Sequence, residues 1–196
     1  MRLKRNIPFV FAAVFMHIHE AGGMCMEWEE YVEDLWIERL IWVRQLILSI
    51  MLGLRDVGYV AQRVERNSEE LGELLGGVFG MQAGKQFEEL LKNYILKLTE
   101  VATTVKAGQN PDILTRQWYD ITGEIADFLS KTNPYWNKAA VYRLIRNQQQ
   151  LELSFATELR KENYGQGIAE FDPAYDNARQ AAQLVIAGIE KYMGQR

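Results

Sequence analysis

The stretch NPDILTRQWYDITGEIADFLSKTNP, Asn110 to Pro134, is bounded at both ends by Asn-Pro. Between them Leu114, Trp118, Ile121, Ile125 and Phe128 recur at intervals of three and four. That is the period of one helix face, not the alternation of a half-buried strand. Asn110 offers a capping oxygen, and Pro111 has no N–H to lose in the first turn. Asp112 faces the positive end of the helix dipole. The spacing predicts a helix to about Lys131. The second Asn-Pro, Asn133-Pro134, predicts the start of another that reaches about Asn163.

The same reading extends outward in both directions. A first helix is expected from about Glu27 to Leu52, with Glu27, Glu29, Glu30, Glu33 and Asp34 in its opening turns. From Leu40 to Leu54 it is apolar nearly all round, which predicts a central helix covered on several sides. Gly53 and Gly58 bracket a weak segment, about 54–66, and Asn67 or Ser68 is placed to cap a short helix from Glu69 to Val78. Gly76, Gly77, Gly80 and Gly84 read as a flexible connection. They do not form a phosphate loop, since no Gly-Lys-Ser or Gly-Lys-Thr follows. Further helices are expected over about 85–106 and 172–193, with a break at Tyr164-Gly165-Gln166-Gly167. No strand pattern of useful length occurs. The expected fold is all-α, a bundle of four to five long helices plus short helices between the first and third long segments, forming a single domain over 26–196.

Composition narrows the function. From Glu27 to Arg196 there is no histidine and no cysteine, so the commonest general base, soft metal ligands and thiol nucleophile are missing from the body. No catalytic residue, metal or cofactor is expected. The formal charge is −4, and setting aside residues 1–25, with Arg2, Lys4 and Arg5 against Glu20, leaves −6. An acidic body without a basic run argues against nucleic acid as a partner. The first helix is long enough to span a membrane. However, Glu38, Arg39 and Arg44 would each cost about 2.5–3.5 kcal/mol near a bilayer centre, so no membrane span is expected.

Residues 1–25, MRLKRNIPFVFAAVFMHIHEAGGMC, admit two readings. Basic residues, an apolar stretch and Ala21-Gly22-Gly23 match a secretory signal peptide, which implies secretion. Alternatively, codons for Ala-Gly-Gly can spell a purine-rich ribosome-binding site. Translation would then start at Met26, residues 1–25 would be an untranslated leader, and the protein would be cytoplasmic.

Polar side chains interrupt the apolar stripes. Arg39 falls in the series Trp28, Val32, Leu35, Arg39, Trp42, Leu46. Tyr94 falls among Phe87, Leu91, Leu98 and Val101, and Gln148 between Leu144 and Leu151, with Glu152 beside it. Glu124 lies one step off the stripe of Asn110–Pro134. If those faces converge, the side chains meet in the interior and must satisfy one another. A buried Arg39 guanidinium calls for a carboxylate, from Glu124 or Glu152, and Arg44 in its apolar run calls for another.

Three segments, LWIERLIWVRQLILS (Leu35 to Ser49), RNSEELGELLGGVFG (Arg66 to Gly80) and WYDITGEIADFLSKTNPYW (Trp118 to Trp136), carry a resemblance. The chain resembles a family of uncharacterised bacterial helical proteins from spore-forming lineages, often labelled acetylglutamate kinase. That label implies an α/β sheet and glycine-rich phosphate loops, for which these residues give no support. The family pattern implies histidines at positions 39, 94 and 148 and an acid at 123, a cluster suited to a metal. Here those positions hold Arg39, Tyr94, Gln148 and Gly123, so no metal is carried over. Arg44, Glu124 and Asn133-Pro134-Tyr135-Trp136 match the pattern.

Two functional expectations follow. The first is a non-catalytic bundle acting through protein interaction or self-association. Its surface would be Trp36, Leu40, Val43 and Ile47 on the first helix and Ala178, Ala181 and Ala182 on the last. The alternative is a small-molecule-binding bundle with a polar core pocket of Arg39, Arg44, Tyr94, Glu124, Gln148 and Glu152, in which Arg39 engages a small anionic ligand.

Overall fold

The computed structural model describes residues 24–195; the two readings of the leader fall mainly on 1–23, outside the described residues. Among those described there is no strand, and the chain is all-α. The described residues form six long helices: α1 (Met24–Leu52), α2 (Val57–Phe79), α3 (Met81–Lys106), α4 (Asp112–Thr132), α5 (Lys138–Arg160) and α7 (Phe171–Met193). A short helix, α6 (Tyr164–Ala169), occupies the expected break before α7. No described helix is long and apolar enough to cross a membrane.

The three helices α1, α3 and α5 touch one another at the centre. Each gap between them is filled from outside: α2 packs on α1 and α3, α4 on α3 and α5, and α7 on α5 and α1. The apolar runs read from the sequence face this interior, where Leu46, Leu71, Leu98, Ile125 and Ile189 are essentially sealed from water. One continuous core draws on all six long helices. Leu40, Ala174 and Ala178 form a small separate cluster between α1 and α7.

The structure departs from the sequence reading between the first and third long segments. Residues expected to form a weak segment and a short helix form one 23-residue helix, α2, and Asn67 and Ser68 lie inside it, not at a cap. Gly72 and Gly76 do not break the chain; they let α2 and α3 approach closely. A Cβ on Gly84 would lie 2.8 Å from the Gly76 Cα, and one on Gly72 would lie 2.9 Å from the Glu88 Cβ. The turn itself needs only Gly80, whose φ of 95° a side chain would disfavour.

The second Asn-Pro also serves a different purpose from the one expected. Asn133 closes α4, and its Oδ1 accepts from the Tyr135 N–H at 3.0 Å. The cap of α5 is Asn137, whose Oδ1 accepts from the Ala140 N–H at 3.0 Å. The intervening turn seats Trp136, 1% exposed, against Phe79 and under Gly188 of α7.

Candidate functional site

A polar chain crosses the middle of the bundle and takes a residue from every long helix except α4. On α1, Arg39 is 8% exposed, and its Nη1 donates to the Ser68 Oγ of α2 at 3.3 Å. The guanidinium lies over the Tyr94 ring of α3, 5.6 Å from its centroid. The Tyr94 hydroxyl donates to Glu152 Oε2 of α5 at 2.8 Å, and Gln148 Nε2 donates to Glu152 Oε1 at 3.2 Å. From α7, Asn177 Nδ2 donates to Gln148 Oε1 at 3.1 Å and to the Leu144 carbonyl at 3.0 Å. Helix α4 contributes apolar wall: Ile125, and Trp118 packed edge-on to Tyr94 at 5.2 Å.

Arg39, Tyr94, Gln148, Glu152 and Asn177 line one side of a cavity of about 60 Å³. Leu40, Phe87, Leu91, Ile125 and Leu144 form most of the rest. About 10–15 Å³ is enough for one water, so this space accommodates several waters or a small organic molecule. Ala178 and the partly exposed Trp36, Ile145 and Ala181 complete the lining, and the partly exposed three place its mouth between α1, α5 and α7.

Arg39 Nη2 is buried and has no hydrogen-bond partner among the described residues. The expected ion pair with a carboxylate is not made. Glu152 acts on Arg39 through space, and the guanidinium's hydrogen bond goes to the Ser68 hydroxyl. Burial lowers the Arg39 pKa, a shift opposed by the charges of Tyr94 and Glu152. Burial also pushes the Glu152 carboxyl up to about 7, against the Tyr94 hydrogen bond, the Arg39 charge and the Gln148 hydrogen bond. Tyr94 is held well above its usual range, first by burial and then by the charge and hydrogen bond of Glu152. The same cause dominates at both Arg39 and Glu152, as it must when two opposite charges share an interior without touching.

Of the six residues singled out from sequence, Arg39, Tyr94, Gln148 and Glu152 come together, and two do not. Glu124 is exposed on α4, because one step off a helical stripe is a 100° turn away from the core. Arg44 stays on α1, but its Nη2 donates to the Gly167 carbonyl of α6 at 2.9 Å, and its guanidinium stacks 3.7 Å from the Phe155 ring centroid. A carbonyl and an aromatic face take the place of the expected carboxylate. Ser68 and Asn177 were not singled out. Ser68 continues the stripe of Val64, Leu71 and Leu75, and Asn177 sits between Ala174 and Ala178, so both were legible as polar residues on apolar faces. Among the described residues, no three His, Cys, Asp or Glu side chains are placed to hold a metal ion.

The surface expected for a protein partner is largely covered within the chain. Leu40, Val43, Ile47, Ala178 and Ala182 are all buried, and α1 and α7 pack against each other. Compared with known proteins, the chain matches no family model, no curated protein and no solved structure.

Proposed function

We propose that this chain binds a small organic anion in its central cavity, with Arg39 as the anchor. One observation carries the reading: Arg39, whose buried guanidinium keeps one nitrogen without a partner, is among the residues lining a cavity large enough for a ligand. An unpaired buried donor on a charged group is costly, and a bound anion would supply the missing acceptor. The apolar remainder of the wall suits a short hydrocarbon body behind the charged head. The resemblance drawn from sequence supports the same place, since positions 39, 94 and 148, for which the resembled family's pattern implies histidine, line this cavity together. The first expectation, a bundle that works by protein interaction, is less favoured because Leu40, Val43, Ile47, Ala178 and Ala182 of its two nominated faces are buried within the chain.

Thermal unfolding with and without small carboxylates tests the reading. A ligand at a hundredfold its Kd adds about 2.7 kcal/mol, or several degrees in Tm for a chain of this size. Arg39→Met is expected to fold and to lose that ligand-dependent shift. If Arg39→Met is more stable than the parent and no carboxylate shifts either protein, the polar chain serves only to fix helix packing.

A further inference from the structure

We propose that the cavity takes up a small monocarboxylate together with one proton from solvent, the proton residing on Glu152 Oε2 while the Tyr94 hydroxyl turns from Glu152 to the bound anion. The inference rests on the cavity being a ligand site, and it adds the ligand's charge, its second donor and the fate of a proton.

The argument starts from the hydrogen-bond inventory. Each Glu152 oxygen already accepts one bond, Oε1 from Gln148 and Oε2 from Tyr94. Gln148 is itself fixed, since its carboxamide oxygen accepts from Asn177. The Ser68 hydroxyl is held by the Val64 carbonyl, which leaves the Tyr94 hydroxyl as the rotor beside Glu152, able to donate or accept. If Oε2 acquires a proton, it can donate to Tyr94 Oη, and the Tyr94 hydrogen is released to another acceptor. Tyr94 lines the cavity, so that hydrogen can point into it. A carboxylate there would have the Tyr94 O–H and the Arg39 guanidinium as donors, from adjacent helices that both line the cavity.

Charge balance points the same way. The site's own residues supply one buried cation and one buried carboxylate. A monoanion entering beside Glu152 would leave two negative charges against Arg39 unless one is neutralised, and like charges sharing a dry site raise proton affinity. Among the groups that act on Glu152, namely Tyr94, Arg39 and Gln148, none can take up the proton in its place. Helix α1 presents Arg39, α3 presents Tyr94, and the cavity faces of α4 and α7 present Ile125, Asn177, Ala178 and Ala181, none of which titrates. Arg146, on the same helix as Glu152, acts on Tyr94 through its charge and stacks on Tyr119 at 3.2 Å. Burial has already brought Glu152 to about 7, so protonation near neutral pH costs little.

Calorimetric titration of the full chain with acetate, butyrate and benzoate, in buffers of different ionisation enthalpy, tests this. Near pH 8.5 the enthalpies should report about one proton taken up per ligand, and well under half a proton at pH 6. Affinity should fall about tenfold per pH unit above 7. Glu152→Gln, which mimics the protonated carboxyl, should bind with the same affinity at pH 6 and 8.5 and take up no proton. Tyr94→Phe should bind about tenfold or more weakly at both, with helical content unchanged. Binding that is independent of pH and of buffer overturns the proton coupling and leaves the ligand site standing. So does loss of binding in a folded Glu152→Gln. Failure of all three acids to bind at any pH overturns the site and this inference with it.

Discussion

Burial makes Glu152 a titrating group within the range where proteins are handled. Its folded pKa of about 7 stands above the 4.5 of an ordinary glutamate, so between those values the folded state holds a proton that the unfolded chain has released. Stability is therefore greatest below pH 4.5 as far as this residue is concerned, falls as pH rises through 7, and flattens above it. The loss is on the order of 3 kcal/mol. Urea unfolding of the parent and of Glu152→Gln at pH 5 and pH 8 measures it. The variant should be the more stable protein at pH 8 and should lose most of its advantage at pH 5. Parallel pH profiles for the two would show that Glu152 titrates normally.

Helix pairing depends on glycines of two kinds, and the sequence does not separate them. Gly84 has backbone, not a flexible side chain, where its Cβ would go: the Gly76 Cα lies 2.8 Å away. Gly84→Ala must push α2 and α3 apart and should cost about 1–3 kcal/mol, as overpacking does. Gly123, within α4, has nothing within 4 Å of a built Cβ. Gly123→Ala should stabilise by about 0.5–1 kcal/mol, by restricting the unfolded chain and favouring helix. Chemical denaturation of both variants should move the midpoint in opposite directions. A shared direction would mean that the close approach of α2 and α3 is not what holds Gly84.

The same contrast explains what was legible. Apolar spacing located five of the six long helices, because that signal is local to each face. It also placed Arg39, Tyr94, Gln148 and Glu152 inward, since each sits on or beside a stripe whose neighbours are buried. It could not tell a glycine that breaks a helix from one that admits a neighbouring helix, so α2 was read as two pieces. Nor could it choose partners for buried charges. Arg39 and Arg44 both called for carboxylates and found a hydroxyl, a carbonyl and aromatic faces instead, because partner identity depends on how distant helices register.

At the scale of the whole molecule, α7 is unevenly anchored along its length. Its second half reaches the main core through Val185 and Ile189, and Gly188 lies beneath the Trp136 indole. The first half rests on the small cluster of Leu40, Ala174 and Ala178 and carries alanines toward the cavity. An alanine removes little apolar area from water compared with valine or isoleucine, so residues 174–182 are held by less burial free energy than 185–189. Regions with few buried apolar contacts open with lower free energy than the global transition. Native-state hydrogen exchange should therefore find the amides of 174–182 exchanging through a smaller opening than those of 185–189, with a lower dependence on denaturant. A bound carboxylate should slow the first group and leave the second unchanged, since only the first borders the cavity. Uniform protection along α7 would place the ligand's path elsewhere, between α1 and α5 past Trp36 and Ile145.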